Sequence, residues 1–212
     1  MAANQTSVNQ LALRGLGCIK GERELFCQLE VEVTSGHVLR IEGENGSGKT
    51  TLLRLICGLF DPDAGAVYWN GQNILQDPAA YCADLTYLGY HPGVKDDLTP
   101  LENLWIDSHL GNGAPRLAPE TALATVGLAQ HTQQLCRRLS SGQRRRVALA
   151  RLLLRWTPLW VLDEPLTALD VKGVAWVFDL LREHLAQGGI AVLTSHQPVP
   201  ADLPGPTLRL GN

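Results

Sequence analysis

The chain has 212 residues, 45% of them hydrophobic and 18% charged, a balance that suits a packed globular protein and excludes a disordered one. Its formal net charge of -3 gives no general argument for nucleic-acid binding, and the basic cluster Arg144-Arg145-Arg146 reads as a solvated helix face. No stretch approaches the ~18–20 apolar residues that a membrane-spanning helix needs.

Five cysteines, Cys18, Cys27, Cys57, Cys82 and Cys136, are scattered without a C-x-x-C pair. That pattern argues against a disulfide scaffold or a zinc site, and for reduced thiols acting as small hydrophobes in a cytoplasmic protein. The polar N-terminus shows no apolar core of a signal peptide. Any role at a membrane is therefore expected to come through a partner.

In chain order, the first part reads as strands. Residues 28–33 alternate polar and apolar side chains, as a half-buried strand does. After the Ser35-Gly36 turn, His37 to Ile41 forms a strand that runs into a glycine-rich loop. Thr50 to Cys57 follows as a helix, stopped by Gly58 and Pro62. Val67 to Trp69 before Asn70-Gly71 predicts a strand entering a hairpin turn. A further strand is expected at Leu85 to Leu88. Helices are expected at Leu101 to Leu110 and Pro119 to Val126, separated by the flexible stretch 111–115. The last third alternates: a helix from Gly142 to about Trp156, a strand at Trp160 to Leu162, a helix at Val171 to Ala186, and the wholly apolar strand Ile190 to Leu193. Helices alternating with buried strands imply a largely parallel sheet.

Two motifs carry chemistry. Gly43-Glu44-Asn45-Gly46-Ser47-Gly48-Lys49-Thr50-Thr51 matches G-x-x-x-x-G-K-[ST] between a strand and a helix. Glycines let successive N–H groups face phosphates at the positive end of the following helix. Lys49 is placed to contact the β- and γ-phosphates of ATP, and the Thr50 hydroxyl to ligate Mg²⁺. Next, the strand ending at Leu162 delivers Asp163 and Glu164 at its C-terminal end, the edge where ligands bind in such sheets. Asp163 suits Mg²⁺, directly or through water, and Glu164 suits polarisation of the attacking water.

A third string, Leu139-Ser140-Ser141-Gly142-Gln143, stands before an amphipathic helix. Ser140 or Ser141 can be its N-cap, and Gly142 permits close backbone approach. The whole string resembles the Leu-Ser-Gly-Gly-Gln signature of ATP-binding cassette (ABC) ATPases, with Ser141 in place of glycine. The resemblance runs from about Leu11 to Pro198. It implies an α/β P-loop NTPase fold with a mostly parallel core sheet and an N-terminal antiparallel β subdomain. A helical subdomain would be inserted over roughly residues 90–150 of a single domain spanning 1–212. It implies further that residues 140–143 cap the γ-phosphate bound by a second copy, so that a head-to-tail homodimer shares two ATP sites. Ala168-Leu169-Asp170 resembles the family's D-loop, and His196 its switch histidine at the γ-phosphate.

Two positions depart from the family pattern. Gly89-Tyr90-His91-Pro92-Gly93 has no Q-loop glutamine; Tyr90 takes its place, with His91 one residue on as another candidate hydrogen-bonding group. The aromatic residue that usually stacks on adenine is absent near Cys18 to Arg23, leaving a neighbour such as Phe26 as a candidate. Within the family, residues 87–95, 141–151, 159–170 and 188–197 look most like the ATP-binding subunits of the cytochrome c maturation (heme exporter) branch. That branch implies integral membrane subunits of the CcmB, CcmC and CcmD kind and release of a heme-loaded chaperone, CcmE. It also implies a peripheral position on the cytoplasmic face of the bacterial inner membrane. Exporters of lipid, drug or metal share the same cassette, and so would a nucleotide-gated structural subunit with weak hydrolysis. No C-x-x-C-H motif is present, so heme handling falls to the partners.

Overall fold

The computed structural model describes residues 8–110 and 116–211; the glycine-rich connection at 111–115 and the first residues of the polar N-terminus lie outside them. The chain begins with strands β1 (Gln10–Lys20), β2 (Arg23–Thr34) and β3 (Val38–Gly43), then helix α1 (Lys49–Ile56) and the hairpin β4 (Ala64–Trp69) and β5 (Gln72–Asn73). A short helix α2 (Pro78–Ala83) leads to β6 (Leu85–Leu88). Helices α3 (Pro100–His109), α4 (Pro119–Thr125) and α5 (Ser141–Leu154) follow before β7 (Leu159–Leu162). Helix α6 (Val171–Ala186) and strands β8 (Ile190–Thr194) and β9 (Thr207–Leu210) complete the chain.

Two sheets result. One is antiparallel in the order β2-β1-β4-β5, and the other has the order β6-β7-β8-β3-β9 with every neighbouring pair parallel. Strands β7 and β8 are buried along their whole length, as expected where both faces of a parallel sheet are covered. Alternate residues divide between two cores, because successive strand side chains point to opposite faces. Leu39, Ile41, Val161 and Val192 pack with α1 and the antiparallel sheet. Val38, Trp160, Leu162, Ala191 and Leu193 pack with α5 and α6. A third cluster of Leu104, Leu123, Val147 and Ala150 joins α3, α4 and α5, so α5 is shared by two cores.

Most expected elements lie where the periodicity puts them, within a residue or two. The hairpin turn has Asn70 and Gly71 both at positive φ, 52° and 81°, which the chosen residue types tolerate. Strand β2 starts earlier than its alternation suggests. Bulges at three points of the β1–β2 register, and Gln28 at φ 49°, interrupt the two-residue period. Helix α2 and strand β9 were not expected: both are short, and β9 follows a proline-rich approach in which the apolar pattern is lost. All five cysteines are free; Cys18, Cys57 and Cys136 are buried and Cys27 and Cys82 are exposed.

One buried group ties stability to pH. His184 on α6 stacks flat on Trp160, ring centroids 3.7 Å apart at 8°, and its Nε2–H donates to the Ile190 carbonyl at 3.2 Å. Burial pushes its pKa down from 6.5 to about 4. The ring is thus neutral in the fold but protonated in the unfolded chain below about pH 6.5. Its contribution is complete above that pH and is lost as the pH falls toward 4, by up to about 3 kcal/mol. Urea unfolding between pH 7 and pH 4.5 should show this acid-side loss, and a His184→Phe variant should show a shallower one.

Candidate active site

The C-terminal ends of β3, β7, β8 and β6 deliver Lys49, Thr50, Asp163, Glu164, His196 and Tyr90 to one edge of the parallel sheet. There they border a cleft of about 530 Å³ lined by Lys20, Leu25, Lys49, Thr50, Tyr90 and Glu164, among others. The loop after β3 is shaped by close contacts that leave no room for a side chain at Gly43 or Gly48. A Cβ on Gly43, at φ 153°, would stand 2.7 Å from the Leu210 carbonyl of β9 and 2.5 Å from Ser47 Oγ. A Cβ on Gly48, at φ 99°, would press on the Phe26 ring at 3.2 Å. Asn45, Gly46, Gly48, Lys49, Thr50 and Thr51 line the cleft. Ser47 is buried with its hydroxyl unpartnered. The Lys49 ammonium donates to the carbonyls of Gly43 at 2.6 Å and Glu44 at 3.0 Å, so it lies against its own loop at the floor of the cleft.

Asp163, 2% exposed, is held from both sides. Thr50 Oγ1 donates to its Oδ2 at 2.9 Å, and Thr194 Oγ1 donates to its Oδ1 at 2.9 Å. Thr194 also accepts the backbone N–H of Glu164 at 2.9 Å. This completely buried threonine at the end of β8 did not stand out in the sequence, where it is one more residue of an apolar strand. Thr50 and Asp163 present hard oxygen donors side by side, a chemistry that suits Mg²⁺ shared with phosphate oxygens. Glu164 stands at φ 49°, a left-handed conformation uncommon for a side-chain-bearing residue. Its Oε2 accepts the His196 backbone N–H at 3.2 Å, while its Oε1 lies 3.5 Å from His196 Nε2. That Oε1 is buried and has no hydrogen-bond partner, so it has acceptor capacity directed at whatever enters beside it.

Residues 140–143 do not line this cleft. Ser140 is the N-cap of α5: its Oγ accepts the Gln143 N–H at 3.2 Å, and Gln143 Oε1 accepts the Ser140 N–H at 2.8 Å. This reciprocal cap uses the polar groups of both residues locally. Ser141 is exposed beside them. A Cβ on Gly142 would stand 2.7 Å from the Ala168 carbonyl, which brings the start of α5 against the turn before α6. Asp170 caps α6 at the Gly173 N–H, 2.9 Å, and pairs with Arg146 at 2.7 Å.

Several expectations change. Arg144-Arg145-Arg146 is not a solvated face: Arg145 is 2% exposed and bonds to backbone carbonyls at the site. Burial of a guanidinium is offset here by acceptors brought from two strand ends, which a basic run does not reveal. Phe26 is 7% exposed and packed under Gly48, so it is a core residue and not a platform for a base. Lys20 and Leu25 face the cleft on that side instead. Of the two candidates for the missing glutamine, Tyr90 lines the cleft, with its ring edge-on to His91 at 5.4 Å.

Residues 26–167 match the family model for the ABC transporter. The chain belongs to the ABC transporter family. This ABC transporter chain is 48% identical over 198 residues to the cytochrome c biogenesis ATP-binding export protein CcmA of Nitrosomonas europaea, covering 93% of each chain. It is 48% identical over 187 residues to the protein of the same name from Methylococcus capsulatus, covering 88% of this chain and 90% of the relative. Among solved structures, it resembles a putative ABC transporter ATP-binding protein from Pyrococcus furiosus, with TM-score 0.77, 25% identity and coverage of 95% and 97%. A bacterial Atm1-family ABC exporter matches with TM-score 0.78 at 23% identity, covering 90% of this chain and 35% of that one, which supports the fold alone. The ABC ATPase fold, an α/β architecture with a parallel core and an antiparallel N-terminal sheet, is thereby established. Among the described residues no helix of this ABC transporter chain is long and apolar enough to cross a membrane.

The bonds to Thr194 can be tested directly. Thr194→Val removes a donor to Asp163 and an acceptor from Glu164 at almost constant volume. It should lower unfolding free energy by about 2 kcal/mol, read from urea denaturation, whereas Thr194→Ser should keep most of it.

Proposed function

We propose that this chain is the ATP-hydrolysing subunit of an export complex for cytochrome c maturation, working on the cytoplasmic face of the inner membrane. The observation that carries hydrolysis is the buried Glu164 Oε1, which stands beside the phosphate loop 3.5 Å from His196 Nε2. The cargo reading is supported by the names of relatives nearly half identical over most of the chain. In this reading the whole chain is one ATPase domain, with the helical excursion at about residues 90–150 facing the membrane partners.

The chemistry follows from the residues. The loop at Gly43 to Thr51 turns its backbone N–H groups to the phosphates of ATP, and Lys49 moves from its two carbonyls to the β- and γ-phosphate oxygens. Thr50 and Asp163 would hold Mg²⁺, which would supply positive charge beside those oxygens. Glu164 Oε1 accepts the proton of the attacking water, while its other oxygen stays fixed by the His196 N–H. His196, at the mouth, is placed to donate to the γ-phosphate as its charge changes. Tyr90 offers a phenol where the family uses a glutamine amide, so it can donate or accept one hydrogen bond.

The signature residues Ser140, Ser141, Gly142 and Gln143 lie off the cleft of their own chain. That placement supports a homodimer in which each copy completes the other's site, with integral membrane subunits resembling CcmB, CcmC and CcmD coupled to its closure. Release of a heme-loaded chaperone would be the output of that closure.

Glu164→Gln should lower kcat in the assembled complex at least about 100-fold while leaving ATP binding intact; full retention of activity would remove the glutamate as the base. For the isolated chain, ATPase activity per molecule should rise with protein concentration, in step with ATP-dependent dimers seen by size-exclusion chromatography. Activity strictly linear in concentration, with no dimer under ATP, would contradict the shared site.

A further inference from the structure

Arg145, in the second turn of α5, is 2% exposed, and among the described residues its hydrogen bonds go to backbone carbonyls. Its Nη1 donates to the carbonyls of Gly89 at 3.0 Å and Tyr90 at 3.4 Å, just beyond β6. Its Nη2 donates to the Asp163 carbonyl at 3.0 Å and to the Glu164 carbonyl, just beyond β7. The planar guanidinium fork serves acceptors on two separate loops at once, one from each terminal nitrogen. Such a charge is costly to bury: desolvation lowers its pKa, opposed by Asp163 and Glu164 nearby.

The target of the fork matters more than its burial. Glu164 keeps its left-handed backbone only if its surroundings over-determine it. Thr194 holds its N–H and Arg145 holds its carbonyl, so both peptide groups are anchored and only the carboxylate is left to act. The same end of α5 makes two further ties to the segment after β7, through Gly142 against Ala168 and Arg146 to Asp170.

We propose that Arg145 is a positioning residue for hydrolysis: it clamps the backbone of Glu164 and the Gly89–Tyr90 segment to α5, so that the base and the cleft-lining tyrosine move as one unit. The proposal rests on Glu164 as the base. Arg145 itself does not line the cleft; it acts through the carbonyls it holds. Displacement of residues 89–90 by a partner subunit would therefore be transmitted to the base without passing through the phosphate loop.

The test compares Arg145→Met and Arg145→Lys in the full chain within its complex, reading kcat, KM and the affinity for a fluorescent ATP analogue. Arg145→Met should lose at least about tenfold in kcat with KM and affinity nearly unchanged, and Arg145→Lys should recover part of that loss. In a Glu164→Gln background, Arg145→Met should add almost nothing, because both changes act on one group. Wild-type kcat in a folded Arg145→Met protein would overturn the proposal, as would losses that multiply in the double variant. If Arg145→Met does not fold, Arg145→Lys decides. Wild-type kcat there, or loss of fold and nucleotide binding together, shows a role that is not positioning. Full activity of Glu164→Gln alone is a separate result, which removes the base reading and this proposal with it.

Discussion

The site depends on a shared register. In the parallel sheet Leu162 is level with Leu193, and Ile41 is level with Thr194. Strands that run the same way and end at the same height release their next residues into one plane. The phosphate loop, the acidic pair and the threonine–histidine turn thus meet without any of them having to reach. A one-residue slip of β7 would turn Asp163 into the sheet's face and carry Trp160 and Leu162 to the opposite core. Burial on both faces makes that slip costly, so the apolar strands set the geometry of the polar edge.

That edge carries two neighbouring buried carboxylates. Asp163 tolerates its burial because two hydroxyls donate to it, and buried carboxylates without such donors are expensive. Glu164 differs: one oxygen is satisfied and the other is not. Buried acceptors without a hydrogen-bond donor are few in folded proteins, and this one belongs to a residue that lines the cleft. The asymmetry between neighbouring carboxylates, one with a donor on each oxygen and one with a donor on a single oxygen, accompanies the left-handed backbone of Glu164.

Much of this was legible in advance. The G-x-x-x-x-G-K-T string and the apolar run ending in Asp163-Glu164 announce their roles because each combines a strand signal with residues that would be costly in the middle of an element. Thr194 and Arg145 were not legible. A threonine in Ile190-Ala-Val-Leu-Thr194 fits β-propensity as well as valine does, and its second role arises only from a neighbour thirty-one residues away. Arg145 belongs to a basic triplet whose members end up in three environments: one beside Asp96, one buried, one on Asp170. Helical rotation of about 100° per residue separates them, and composition alone cannot say which one turns inward. Phe26 errs the other way: an aromatic near a phosphate loop invites a binding role, but the break in alternation at Gln28 turns it into the core.

Strand β9 has a practical corollary. Its last carbonyl supports Gly43 from below, and Gly211 lies against Ser47, while Arg40 fastens the approach to it through Thr207 Oγ1 and the carbonyls of Leu203 and Gly205. The underside of the nucleotide loop is therefore built from the final residues described. A bulkier residue at Gly211, where φ is 93° and a Cβ would stand 3.3 Å from the Ser47 Cβ, would press on that loop from outside the cleft.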